Sequence, residues 1–83
     1  MKIVYSRKAA DYFSQLPQDA QRRISKKMRF YADQVNPLEY AKKLKGFELY
    51  RFRVGDYRLI FEASRQTILI VDVRKRDDVY RDL

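Results

Sequence analysis

Apolar positions along the chain repeat with helical spacing in its first half and with strand spacing in its second. "KIVY", Lys2 to Tyr5, is a short β-prone run. Ser6 then suits the N-cap of a helix over Arg7 to Leu16, in which Ala9, Phe13 and Leu16 share one apolar face. Pro17 breaks that helix and suits the start of the next. The second predicted helix, Gln18 to Val35, carries Ala20, Ile24, Met28, Tyr31 and Val35 on one stripe. Arg22, Arg23, Lys26, Lys27 and Arg29 lie mostly off it, as on a solvated surface or one that faces nucleic acid or a membrane. "NPLE" ends the helix, because Pro37 disfavours helical geometry in the residue before it.

A basic connector, "AKKLKG", leads to three β runs: Glu48 to Val54, Tyr57 to Ser64 and Thr67 to Arg74. Gly55-Asp56 between the first two suits a type II′ hairpin turn. Arg65-Gln66 is a less orthodox turn between the second and third. The order β-α-α-β-β-β predicts an α+β fold, with two helices on one face of a small, mostly antiparallel four-stranded sheet. The tail "KRDDVYRDL" is expected to form a short helix or turn, with Asp77 and Asp78 matching the dipole at its start. Residues 1–83 are expected to make one domain.

Composition narrows the chemistry. The 46% hydrophobic content is enough for a packed interior, which argues against disorder. Cysteine and histidine are absent, which removes disulfides, thiol chemistry, Cys/His zinc sites and the usual general base near neutral pH. No cofactor is expected. Nineteen Lys and Arg against eleven Asp and Glu leave a net charge of +8, which favours a nucleic acid or an acidic protein as partner. There is no long apolar run, and the N-terminus becomes charged too soon for a signal peptide, so a soluble, cytosolic protein is expected.

The stretch "YRFRVGDYR" concentrates that charge. A two-residue turn at Gly55-Asp56 sets Arg53 opposite Arg58 and puts Arg51 on the same face. Tyr50, Phe52, Val54, Tyr57, Leu59 and Phe61 then take the other face, toward the helices. Like charges directly opposed destabilise a sheet, by up to about 1 kcal/mol. Either an anion belongs between them, or the arginines pair with Glu48, Glu62 or Asp72, or they splay into water. At the tail, Arg74, Lys75, Arg76 and Tyr80 extend the constellation. Tyr80 is open to three roles: core packing, a proton acceptor whose pKa nearby arginines lower, or a ring that stacks on a base.

Taken together, "KLKGFELYRFRVGDYRLIFE", an apolar strand and "KRDDVYR" resemble the RelE/ParE superfamily of bacterial toxins from toxin–antitoxin pairs, and most of all its RelE branch. The resemblance spans the whole chain. It implies a ribosome-dependent endoribonuclease that cuts messenger RNA in the decoding site, works without metal or histidine, and is silenced by a cognate antitoxin. By position, the family's cleft falls on Arg51, Arg53, Arg58, Arg76 and Tyr80, with Arg74 the alternative to Arg76. Lys42, Lys43, Lys45, Arg74 and Lys75 are the expected contacts to RNA and ribosome. The best-studied family pattern has lysines where this chain has Arg51 and Arg53. Arginine does not give up its proton, so these two positions are expected to stabilise charge and not to act as a base. The resemblance leaves two rivals: a ParE-like inhibitor of DNA gyrase with no nuclease activity, and a non-catalytic RNA-binding protein.

Overall fold

The computed structural model describes residues 2–46 and 48–75. Its elements are β1 (Lys2–Tyr5), α1 (Arg7–Ser14), α2 (Gln18–Ala32), a 3-10 turn (Pro37–Tyr40), β2 (Lys42–Lys43), β3 (Tyr50–Val54), β4 (Tyr57–Ala63) and β5 (Thr67–Lys75). The sheet order is β1-β5-β4-β3-β2; β1 runs parallel to β5 and every other pair is antiparallel. The α+β architecture is the expected one, with five strands in place of four. The added strand comes from the basic connector, where Lys42 pairs with Arg51 and Lys43 with Tyr50. Two residues carry no period, so this strand leaves no pattern to detect.

Local chemistry sets the helix ends. Ser6 Oγ accepts from the Ala9 backbone N–H at 3.1 Å and starts α1. Gln21 Nε2 donates to the carbonyls of Ser14 and Leu16, which satisfies groups that the end of α1 leaves open. α2 ends at Ala32, three residues before the expected boundary: the Asp33 N–H is shared between the carbonyls of Arg29 and Phe30, and the Gln34 N–H turns back to that of Tyr31. Asn36 then caps the 3-10 turn through its side chain. Val35, expected on the apolar stripe, is therefore fully exposed.

Both helices pack on one face of the sheet. Ala9, Ala20, Ile24, Met28 and Tyr31 meet Phe52, Val54, Leu59, Phe61, Ile68, Ile70 and Val73 in one buried cluster. Its spine is a stack of rings: Tyr31 on Phe52 at 4.1 Å and Phe52 on Phe61 at 4.4 Å between centroids. No helix among the described residues is long and apolar enough to cross a membrane.

Candidate nucleic-acid interface

The β3–β4 hairpin turns at Gly55, whose φ of 57° is open to glycine at little cost. Among the described residues no non-glycine has a positive φ, so Asp56 is ordinary and the turn is type II′, as its sequence predicts. That turn fixes the register, pairing Val54 with Tyr57, Arg53 with Arg58, Phe52 with Leu59 and Arg51 with Ile60.

On the far side of β4, Arg58 also pairs with Arg74 of β5. Three arginines, 53, 58 and 74, thus form one row across three adjacent strands on the face away from the helices. Beside it runs a second row: Lys42, Arg51, Ile60 and Asp72. The two rows give this face its charge.

Arg58 differs from its neighbours. Arg53 is exposed and Arg51 and Arg74 are half-buried, whereas Arg58 is only 2% exposed. Its Nη1 is buried and has no hydrogen-bond partner among the described residues. A buried donor left unsatisfied costs about 1–3 kcal/mol, more when it is charged. The sequence reading set all three hairpin arginines on an open face; the face is correct, but its central member lies below the surface. A guanidinium held in this way is a preorganised donor for an anion.

A β-bulge completes the row. Ile60 pairs with Asp72 but Phe61 pairs with Ile70, so Val71 is the extra residue. Ile68 and Ile70 point into the core, and without the bulge Asp72 would follow them there. The extra residue shifts the phase, so Val73 enters the core and Asp72 and Arg74 face outward. Ser6 braces the shift: its N–H donates to the Ile70 carbonyl at 2.8 Å and its hydroxyl to the Val71 carbonyl at 3.4 Å. The re-aimed Asp72 takes Arg74 Nε at 2.7 Å and the Val73 N–H at 3.0 Å, with Lys8 Nζ of α1 3.8 Å away. Of the three acids considered as arginine partners, Asp72 is the one that meets the row; Glu48 pairs with Lys43 instead, at 3.8 Å. The break in alternation within "ILIVDV" was the available signal for this arrangement.

The remaining expected residues divide by position. Lys42 and Lys43 are exposed on the edge strand, and Lys45 is exposed in the turn after it. Lys75 is exposed at the end of β5, opposite Tyr57. Arg76, Tyr80 and the Asp77-Asp78 pair lie outside the described residues. No cluster of His, Cys, Asp and Glu suited to a metal ion occurs among the described residues.

Comparison with known proteins follows the same lines. Residues 5–80 match the family described as ParE toxin of type II toxin-antitoxin system, parDE. No curated protein sequence matches the chain. Among solved structures, the RelB–RelE antitoxin–toxin complex from Methanococcus jannaschii aligns with a TM-score of 0.76 and 23% identity, covering 96% of this chain and 98% of that one. The RelBE2 complex from Mycobacterium tuberculosis aligns at 0.77 and 22% identity, covering 90% of each chain. A chromosomal ParDE system from P. aeruginosa aligns at 0.67 and 16%, covering 90% of this chain and 95% of that one. At such identities the likeness establishes the fold, which is RelE-like, while the family match covers nearly the whole sequence. This chain belongs to the ParE toxin family of type II toxin–antitoxin systems, within the RelE/ParE superfamily.

Proposed function

We propose that this toxin is a ribosome-dependent endoribonuclease that cuts messenger RNA in the decoding site and is held inactive by a cognate antitoxin. The observation that carries the reading is the Arg53–Arg58–Arg74 row, with a buried guanidinium nitrogen at its centre that has no partner among the described residues. A pure binding surface gains nothing from burying a cation; a site that must stabilise a developing charge does. In the proposed reaction an RNA 2′-oxygen attacks the adjacent phosphorus as its proton passes to a base. The bond to the 5′-oxygen breaks and that oxygen takes up a proton from water, leaving a 2′,3′-cyclic phosphate and a 5′-hydroxyl. Arg58 and Arg53 stabilise the charge on the phosphate oxygens, with Arg51 alongside. The resemblance assigns Tyr80 the proton or a stacking role, and Arg76 the leaving oxygen. The ribosome supplies in-line geometry by holding the message. RelB–RelE complexes among the structural relatives support an antitoxin as partner.

The test adds purified toxin to programmed ribosomes and maps message ends by primer extension. Codon-spaced cuts by wild type that vanish in Arg58→Ala are expected; full cleavage by Arg58→Ala would remove Arg58 from the chemistry. The family match and the ParDE relative favour a second reading, inhibition of DNA gyrase. Uncut message together with blocked supercoiling would establish that reading instead.

A further inference from the structure

The charged face does not end at β3. Lys42 carries the row beside the arginines onto the edge strand through its pairing with Arg51, so its side chain shares the arginine face. Lys43, paired with Tyr50, projects to the helix side of the same edge. Positive charge therefore turns the corner of the sheet. Just beyond the corner stand two half-exposed rings, Phe30 of α2 at 44% and Tyr40 of the 3-10 turn at 47%.

These rings have a specific setting. They meet edge to face, with centroids 5.5 Å apart, and Tyr31 packs beneath both at 5.6 Å. Lys27 Nζ lies 5.2 Å from the Phe30 centroid and 5.6 Å from that of Tyr31. Arg23 occupies the same stripe of α2 one turn earlier, its guanidinium 3.2 Å from where a Cβ on Gly55 would be. Gln34 Oε1 accepts the Tyr40 hydroxyl at 3.2 Å, which fixes that ring. The acids in these segments are Asp33 and Glu39, and Glu48 pairs with Lys43 at 3.8 Å; Arg23, Lys27 and Lys42 still leave the balance positive.

A half-exposed ring anchored from below, with the Lys27 ammonium beside it, complements a nucleobase and its phosphate. An apolar helix would need contiguous aliphatic surface, and among the described residues of these segments Val35 is the one exposed large aliphatic side chain. We propose that Phe30 and Tyr40, with Lys27, form a stacking platform for single-stranded RNA. A strand held at the arginine row reaches it by crossing the Lys42–Lys43 edge. The surface deepens the nuclease reading by giving the flanking message a second grip, but it is measurable as binding alone.

The experiment uses 2′-O-methyl RNA, which lacks the attacking hydroxyl, at lengths of three and about ten nucleotides, the longer being within the range such sites cover. Affinity is read by fluorescence anisotropy for wild type, Tyr40→Leu, Phe30→Leu and Phe30→Tyr, with thermal melting of each variant as the folding control. Loss of one stacked base should weaken the longer oligonucleotide about tenfold in each Leu variant. Phe30→Tyr should keep wild-type affinity, and trinucleotide binding should not change. Lys27→Gln should reduce the salt dependence by about one phosphate contact. Unchanged affinity of folded Leu variants for the longer RNA overturns the platform, as does a loss confined to binding of an acidic antitoxin segment. Failure of wild type to cut ribosome-bound message overturns the nuclease reading but leaves the platform standing wherever the Leu variants still lose RNA affinity.

Discussion

On the helix side of β3, Phe52 lies between Tyr31 and Phe61 with ring centroids 4.1 and 4.4 Å away. On the opposite side, one residue further, Arg53 stands across from Arg58 with no described helix above them. The first face satisfies every rule for stability: apolar residues, stacked rings, full burial. The second breaks two of them, by opposing like charges and by burying a donor that has no partner among the described residues. Strand periodicity forces the faces to coexist, since each residue of the hairpin serves one or the other. The aromatic face stabilises the sheet enough to hold the arginine face in its unfavourable arrangement.

Substitution should separate the two faces. Phe52→Ala removes the middle ring of the stack and leaves a cavity, at a cost of about 3–5 kcal/mol. A small domain has only about 5–15 kcal/mol in total, so this variant should melt tens of degrees lower, or fail to fold, by circular dichroism. Retention of the wild-type melting temperature would mean the ring stack is not what supports the hairpin.

Arg58→Met should do the reverse. It keeps most of the side-chain volume but removes the buried cation and its repulsion with Arg53 and Arg74. Message cleavage should fall about 100-fold or more, the usual cost of losing a preorganised charge-stabilising donor. Thermal stability should hold or rise, since a buried guanidinium whose Nη1 has no partner among the described residues is replaced by apolar packing. A variant that loses both activity and several kcal/mol of stability would show that Arg58 is a structural cation, satisfied in a way the unpartnered Nη1 does not suggest.

Most of the architecture was legible in the sequence because it rests on short-range rules. Ser6 as a cap, Pro17 as a break, Gly55-Asp56 as a type II′ turn and the opposition of Arg53 to Arg58 follow from local chemistry and strand period. What was not legible depends on through-space facts. The depth of Arg58 is set by what surrounds it, not by its own neighbours in sequence. The bulge at Val71 changes which residues share a face, and only the phase slip between Ile70 and Val73 hints at it. β2 is too short for any period. Val35 continues the helical stripe in sequence, but the chain has already left the helix. For the candidate site, the shared face of the hairpin arginines follows from position, while the Asp72–Arg74 contact needed the bulge to exist. Arg76 and Tyr80 lie outside the described residues.

The bulge joins the two faces, and Ser6 holds it. Ser6→Ala removes the cap to Ala9 N–H and the hydroxyl contact to the Val71 carbonyl together. The cap alone is worth about 1 kcal/mol, or about 4–8 °C in a domain of this size. Because Val71 sets the phase of Asp72 and Arg74, cleavage should drop more than that stability loss explains, even well below the melting temperature. A change in melting alone, with wild-type cleavage at low temperature, would confine Ser6 to helix capping.

The smallest effect tests the aromatic face by pH. Burial raises the Tyr5 phenol above its ordinary value of 10.0, and burial first, then Tyr40, raise that of Tyr31. The folded state therefore favours the neutral phenols more than the unfolded state does. Their contribution is fully present below pH 10, and it is lost as pH climbs through the raised folded values. Alkaline melting should therefore carry a contribution from these two phenols. Tyr31→Phe keeps the ring stack and removes one of the two phenols, so its melting temperature should decline less steeply than wild type between about pH 10 and 11.5. Identical slopes in the two proteins would assign the alkaline loss to Tyr5 or to the exposed lysines, and would detach it from the stack that supports the hairpin.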